Sequence, residues 1–173
     1  MASEGSIPPV LNCKISSNVD DLEVLRTVHS WLPGRETVRP TPELRAVKEA
    51  SLAEVHNTFC SMRDYILQSV FGYAPERDPE TGKLFVAPER WRTQQKHIFD
   101  RNLFSYNVPQ GTRHYIMWYA PDHPSDDAEI TRDITEALRI RTHTENGFEF
   151  AWYENPKMTI PDVYHVQVFW HRR

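Results

Sequence analysis

The spacing of apolar residues changes half-way along this chain of 173 residues, and the change limits the folds that it can adopt. In the first half, apolar residues recur every three or four positions, the period of a helix with one buried face. In the second half they form β-prone runs at 115–119, 148–153 and 163–170, and a helical pattern at 125–141 follows the first run. Helices followed by β-α-β-β predict an α+β domain, with N-terminal helices packed on a small, mainly antiparallel sheet.

Helix signals divide the first half into segments. Residues 1–19, rich in Ser and Pro, are expected to form a flexible arm, and residues 20–173 a single α+β domain. A first helix is expected from Asp20 or Asp21 to Pro33-Gly34, and Thr41 is a plausible N-cap before Pro42.

The clearest helix is expected to begin at Ser51, because Ser51-Leu52-Ala53-Glu54 fits a capping box, and to end at Gly72. Another is expected from Pro88, with Trp91 and Ile98 on one face and Arg92 and Lys96 on a basic edge. Ser125 is expected to cap the helix in the second half.

The composition argues against several classes of enzyme. Only 6 glycines are present, and neither the P-loop pattern nor the G-x-G-x-x-G pattern of dinucleotide-binding folds occurs. The two cysteines, Cys13 and Cys60, form no C-x-x-C pair, and no histidine spacing is typical of a metal site, so no metal or cofactor is expected. Without an apolar run of membrane length or a signal peptide pattern, a cytoplasmic location without membrane contact is expected.

Charge is distributed unevenly along the chain. Residues 1–89 hold 9 basic and 13 acidic side chains, whereas residues 90–173 hold 11 of each, so the net charge of −4 belongs to the first half. The neutral half begins with a basic edge interleaved with Trp91, which favours local contact with a nucleic acid rather than general binding to it. The basic residues of this prediction are Arg90, Arg92, Lys96, Arg101 and Arg113.

Polar residues on the predicted strands are candidates for a functional site. Because side chains alternate along a strand, His165 and Gln167 share one face, and His114, Ile116 and Trp118 share another. If the strands are neighbours, one concave wall is formed by His114, Trp118, Glu154, Asn155, His165 and Gln167. The alternatives are that His165 and Gln167 form the solvated face of an edge strand, that His114 is a surface histidine, and that Glu154-Asn155-Pro156 is only a turn.

Four segments of the second half resemble a mainly fungal family, that of the N-acetylglucosamine-induced protein 1. The segments are Asn102–Tyr106, Gly111–Trp118, Trp152–Pro156 and Ile160–Phe169, within a resemblance that covers residues 50–173. Many family members read H-x-H-V-F in the last segment, where this chain has Gln167 in place of the second histidine. The family resembles the one that contains the fungal arginine-containing cyclodipeptide synthases.

The resemblance implies an enzyme that takes arginine and a second amino acid from aminoacyl-tRNAs and releases a cyclo-Arg-Xaa diketopiperazine. Its partners would be arginyl-tRNA and a second aminoacyl-tRNA, and the five basic residues would hold the tRNA. His114 or His165 would be the base, and Asn155 and Gln167 would contact the oxyanion or an amide. Carboxylate candidates for the guanidinium are Glu154, Asp162, Asp122 and Asp100, beside the aromatic residues Trp118, Trp152 and Tyr164.

Three further possibilities remain open at this point. If an aminoacyl-enzyme forms, the candidate nucleophiles are Ser61, Cys60 and Ser105. A non-catalytic sensor or regulator of the amino-sugar response is the alternative function, as the older family name suggests. A small-molecule hydrolase that uses His165 is a more distant possibility.

Overall fold

The computed structural model describes residues 40–106, 108, 110–154, 158 and 160–173. The expected arm over 1–19, the expected helix after Asp20 or Asp21, and the candidate residue Asn155 lie outside this part of the chain.

The helix expected from Ser51 to Gly72 is in fact two helices, α1 (Pro42–Thr58) and α2 (Met62–Ser69). Thr41 caps α1 and Pro42 opens it, as expected. The capping box at Ser51 is wrong, because Ser51 lies inside α1 and its hydroxyl donates to the Val47 carbonyl. The break comes at Phe59, which is extended and bridges to Leu84.

Ser61 provides the cap that separates the two helices. Its Oγ accepts the Asp64 N–H at 3.1 Å and donates to Asp64 Oδ2 at 2.5 Å. The other oxygen of the buried Asp64 carboxyl accepts the Val86 N–H at 3.0 Å. Gly72, just after α2, has a φ of 75°, a conformation that glycine adopts without strain.

The helix expected from Pro88 is also shorter than the pattern indicates. A two-stranded hairpin, β1 (Glu76–Arg77) and β2 (Leu84–Phe85), precedes α3 (Pro88–Trp91), which is a single turn. Lys96 and Ile98 lie instead on the strand β3 (Lys96–Arg101), so Trp91 and Ile98 do not share a helix face.

The main sheet is four-stranded and antiparallel, which confirms the α+β class. Its other strands are β4 (Arg113–Ala120), β5 (Phe148–Tyr153) and β6 (His165–Arg172). The order is β3-β4-β6-β5, so β4 and β6 are central strands, and each neighbouring pair is antiparallel.

The sheet carries one hydrophobic cluster on each face. Helix α4 (Asp127–Thr142) packs on one face through Ile130, Ile134 and Leu138. Its N-cap is Asp126 rather than Ser125, whose hydroxyl donates to Glu129 Oε2 at 2.5 Å. On the other face, α2 and Trp91 pack against Trp118, Ala120 and Val163. No helix in the described part of the chain is long and apolar enough to cross a membrane.

Candidate active site on the α2-side face of the sheet

The register of β4 and β6 places the predicted polar residues on one face. Trp118 is directly opposite His165, and Ile116 is directly opposite Gln167. Because β6 is a central strand, this face is covered, and His114, His165 and Gln167 are each at most 5% exposed. The solvated edge strand and the surface histidine are therefore wrong as interpretations of these residues.

His114 has both ring nitrogens occupied. The Tyr106 N–H donates to Nδ1 at 3.0 Å, so Nδ1 carries a lone pair and the proton is on Nε2. Nε2 lies 2.6 Å from Gln167 Oε1, to which it donates. Burial lowers the pKa of His114 from 6.5 to about 4, an effect that the Gln167 hydrogen bond partly offsets. At neutral pH, His114 is thus a neutral imidazole without a free nitrogen.

The amide of Gln167 is oriented by the same network. Its Oε1 accepts from His114 and also from Asn102 Nδ2, at 3.4 Å. With Oε1 used in this way, the NH₂ group of Gln167 points away from the network and has no hydrogen-bond partner among the described residues. Within the described ranges it is therefore a donor without an acceptor on the buried face.

Aromatic rings enclose this network. His114 stacks on Phe169 with 4.4 Å between ring centroids, and Tyr106 lies 4.7 Å from His114. Tyr153 stacks on the other side of Phe169 at 5.9 Å. The rings exclude water from the His114–Gln167 hydrogen bond and so strengthen it.

His165 is arranged in the opposite way. Its Nδ1 lies 2.8 Å from the Val163 carbonyl, which can only accept, so Nδ1 carries the proton. Nε2 then carries a lone pair, and it has no hydrogen-bond partner among the residues that the structure describes. Burial lowers the pKa of His165, while the Val163 carbonyl and the Glu154 charge partly oppose that effect. The Trp118 ring lies against the imidazole at 4.5 Å.

Glu154 directly follows β5 and contacts Tyr164, a residue of the hydrophobic cluster on the α4 face. Its Oε2 accepts the Tyr164 hydroxyl at 3.0 Å, and its charge acts on His165. Burial is the main cause that raises the pKa of Tyr164, with the Glu154 charge second. Trp152, in contrast, lies on the α4 face, where its indole N–H donates to Thr131 at 3.1 Å. Trp152, named as an aromatic residue beside the guanidinium carboxylates, therefore lies on the opposite face of the sheet from His165.

The other carboxylates proposed for a guanidinium form no hydrogen bond with His114 or His165 within the described part of the chain. Asp100, Asp122 and Asp162 are exposed. Asp100 lies on the edge strand β3, where its Oδ1 accepts the Arg101 N–H. Of the four candidates, Glu154 is the one that the structure brings to the buried histidines.

The five predicted tRNA-binding residues do not form one surface. Lys96 pairs with Ala120 at one end of β4, whereas Arg113 lies at the other end, roughly 23 Å away at the usual rise of a strand. Arg101 pairs with Tyr115 near the Arg113 end. Arg90 forms a salt bridge with Glu76 at 3.0 Å, while Arg92 lies over the Trp91 ring.

None of the candidate nucleophiles lies beside a histidine in the hydrogen-bond network. Ser61 caps α2, and Cys60 is exposed, with its sulfur 3.9 Å from Asp78. The Ser105 hydroxyl donates to the Tyr106 carbonyl. Within the described ranges, no group of three or more His, Cys, Asp or Glu side chains is arranged to hold a metal ion.

Several residues of the site were not candidates in the sequence. Asn102, Tyr106, Tyr153 and Phe169 complete the network around His114 and Gln167. Asn102 and Tyr106 belong to the segment Asn102–Tyr106 that carries the family resemblance, and that segment was the available signal.

In comparisons with known proteins, no family model, no curated protein and no solved structure matches the chain.

Proposed function

We propose that this protein is an aminoacyl-tRNA-dependent cyclodipeptide synthase that forms a cyclo-Arg-Xaa diketopiperazine by acyl transfer from charged tRNAs. The observation that carries the proposal is His165: a buried, neutral imidazole whose Nδ1 is held by a backbone carbonyl and whose Nε2 has no hydrogen-bond partner among the described residues. A general base needs such a fixed lone pair, and the resemblance of the surrounding segments supplies the substrate class.

His165 has one task in each of two acyl transfers. In the first, Nε2 takes a proton from the α-amine of one aminoacyl ester as that nitrogen bonds to the carbonyl carbon of the other. The ester C–O bond then breaks, and the imidazolium returns the proton to the departing ribose oxygen of the tRNA. In the second transfer, Nε2 takes a proton from the free α-amine of the dipeptidyl ester as that nitrogen bonds to the carbonyl carbon of its own ester. The ester C–O bond breaks, the imidazolium returns the proton to the ribose oxygen of the second tRNA, and the ring is closed.

Gln167 is the candidate for stabilising the oxyanion. Its carbonyl oxygen is fixed by His114 and Asn102, which leaves its NH₂ as a donor with a set direction. A preorganised donor of this kind stabilises developing negative charge more than a mobile donor does. In this proposal His114 is a positioning residue, because it acts through Gln167.

Glu154 is the candidate for binding the guanidinium of the arginyl group. Tyr164 occupies one carboxylate oxygen, and the other has no hydrogen-bond partner among the described residues. A half-buried carboxylate beside an aromatic ring suits a planar cation. Asn155 stays a prediction from the sequence.

The test is to incubate the purified protein with total charged tRNA and to search for diketopiperazines by mass spectrometry. We expect an arginine-containing product that disappears after RNase treatment. His165→Gln is expected to lower its rate by about 10²–10⁴-fold, the usual contribution of a general base. Glu154→Gln is expected to reduce use of arginyl-tRNA more than use of the second substrate.

His56→Gln is the matched control, because His56 is an exposed histidine on α1 and is not part of the site around His165. It should leave the rate unchanged. Absence of a diketopiperazine with every pair of charged tRNAs would refute the proposed function. A His165→Gln variant with full activity would refute the assignment of the base.

A second candidate function, binding of an amino sugar without catalysis, is favoured by the His114–Gln167 network, in which both ring nitrogens of His114 are occupied. The imidazole of His114 therefore has no free nitrogen to act as an acid or base, and the network offers polar groups in fixed positions to a ligand. Calorimetry with N-acetylglucosamine and its phosphates tests this candidate, and lack of saturable binding would eliminate it.

A further inference from the structure

Arginine side chains from three strands lie at one end of the main sheet, on the face that α4 covers. Arg101 is directly opposite Tyr115, and Arg113 lies two residues before Tyr115 on β4. Because side chains alternate along a strand, both arginines share the face of Tyr115, which packs under α4. By the same alternation Arg172 shares this face with Trp170, which is directly opposite Arg113.

A fourth arginine reaches the same corner from the last turn of α4. Nη1 of Arg141 donates to the Tyr115 hydroxyl at 3.3 Å, and the Arg141 guanidinium carbon is 4.8 Å from the centroid of the Tyr115 ring. The Arg113 guanidinium carbon is 4.9 Å from the centroid of a Trp170 ring. We call these residues the arginine surface, and all of them are exposed: Arg101, Arg113, Arg141 and Arg172.

The arginine surface has no counter-ion in the described part of the chain. None of its members forms a salt bridge with a described carboxylate. Each glutamate near this end already pairs with another cation; the pairs are Glu136–Arg139, Glu145–Arg139 and Glu149–Arg173. Asp100 lies on the opposite face of β3 by alternation. A group of unneutralised arginines on a chain with a net charge of −4 favours a partner with repeated negative charges.

The ring contacts indicate which kind of polyanion fits. A guanidinium that lies over an aromatic ring keeps a fixed plane and uses one of its faces for the ring. Its N–H edge suits phosphate oxygens, and its outer face suits a nucleobase, since bases stack on arginine planes. An anionic membrane or an acidic peptide has no base to place there. The arrangement therefore favours a nucleic acid.

We propose that the arginine surface binds the phosphate backbone of an RNA, with a base stacked on Arg113 or Arg141. The proposal rests on the proposed function in one respect, because it takes the RNA to be the tRNA substrate. Binding itself requires no acyl transfer, and it is measured with uncharged tRNA. Failure of RNA binding and failure of diketopiperazine formation are therefore separate results.

The arginine surface is remote from the candidate base. Arg172 and His165 lie at opposite ends of β6, roughly 23 Å apart at the usual rise of a strand, and alternation places them on opposite faces. The surface would therefore contact the RNA away from the reacting ester. Loss of these contacts is expected to raise KM for charged tRNA and to leave kcat unchanged.

The test is fluorescence anisotropy of a labelled, uncharged arginine tRNA transcript with the full chain, over a series of salt concentrations. We expect saturable binding, and a slope of about −3 for the logarithm of the association constant against that of the salt concentration, as for four phosphate contacts. Polyglutamate and phosphatidylserine vesicles are the competitors. If either one, at equal total charge, displaced the transcript as well as unlabelled tRNA does, the surface would belong to a protein or a membrane partner, and the proposal would be overturned.

Substitutions identify the contacts. Arg113→Gln, Arg141→Gln and Arg172→Gln are each expected to weaken binding severalfold and to reduce the salt slope by about 1. Arg92→Gln is the matched control, because Arg92 is also exposed and lies over a tryptophan ring, but it is the C-cap of α3 and precedes the start of β3, whereas Arg101 ends that strand. It should change the dissociation constant by less than about twofold. Equal weakening by Arg92→Gln would indicate general attraction by positive charge and would refute the surface.

Two further measurements do not depend on the folding of the variants that lose a ring contact. Arg172 is exposed at the end of β6 and forms no ring contact among the described residues, so Arg172→Gln tests the surface without disturbing the packing. In ¹H–¹⁵N spectra of the unmodified protein, the transcript should shift the backbone amide resonances of Arg101 and Arg113 more than that of Arg92. No saturable binding of the transcript, or a larger shift at Arg92, would contradict the proposal.

Discussion

The two buried histidines differ in which ring nitrogen carries the proton. A backbone N–H donates to Nδ1 of His114, and a backbone carbonyl accepts from Nδ1 of His165. Since burial lowers the pKa of both, we expect opposite neutral tautomers at pH 7: Nε2–H in His114 and Nδ1–H in His165. Long-range ¹H–¹⁵N correlation spectra distinguish the tautomers. Identical tautomers, or a protonated His165 at that pH, would contradict the assignment of His165 as the base.

Acid should destabilise the fold through His114. Its pKa is about 4 in the folded protein and 6.5 when unfolded, so between these values the unfolded chain binds the proton first. Stability is therefore complete above pH 6.5 and falls as the pH drops towards 4. The loss amounts to about 3 kcal/mol at the end of that range.

Urea unfolding at pH 7 and pH 4.5 measures this effect. We expect His114→Gln to lose about 2 kcal/mol less than the unmodified protein between the two pH values, because glutamine does not titrate. The exposed His56→Gln should lose as much as the unmodified protein. Equal acid sensitivity of His114→Gln and the unmodified protein would show that another group is responsible.

At the scale of elements, the stability of α2 depends on the Ser61 side chain that caps its first turn. Ser61→Ala removes the cap of α2 and a donor to the buried Asp64 carboxylate, so we expect it to cost about 2 kcal/mol of unfolding free energy. Ser51→Ala should change stability by less than about 0.5 kcal/mol, because Ser51 lies inside α1 and alanine is the better helix former. Urea denaturation compares the two. A larger loss of unfolding free energy for Ser51→Ala than for Ser61→Ala would instead support a capping box at Ser51.

The break between α1 and α2 shows what apolar spacing does not reveal. Leu52, Val55, Phe59 and Ile66 keep their helical spacing across it, although Phe59 is extended. The interruption comes from pairing with Leu84, which is distant in the sequence. Helical spacing therefore predicts the buried face but not the continuity of the helix.

The strands β4, β5 and β6 were predictable because each is a long β-prone run, whereas β3 was not, because only two of its six residues are apolar. Its apolar residues, Ile98 and Phe99, are flanked by exposed polar residues. Alternation also predicted that His165 and Gln167 share a face. Their burial depends on the central position of β6, which pairs with both β4 and β5. Alternation within one strand does not reveal that pairing.

At the scale of the whole molecule, the central strands connect the two hydrophobic clusters. Along β4, Met117 and Tyr119 belong to the cluster under α4, whereas Trp118 and Ala120 belong to the cluster under α2. Neither cluster can lose its packing without disturbing strands that the other needs. We therefore expect both to unfold in one cooperative transition.

Two fully buried residues, one on each face, test this expectation. Ile134→Ala in α4 and Leu67→Ala in α2 should each lower the unfolding free energy by about 2–5 kcal/mol, with the slope of the urea dependence unchanged. Tryptophan fluorescence and far-ultraviolet circular dichroism should report the same midpoint in both variants. Separate transitions for the two probes would mean that the faces are independent, and the His165 site, built on one face, would then not depend on α4. With a single transition, substitutions under α4 weaken the site as well, because the site lies on the same strands.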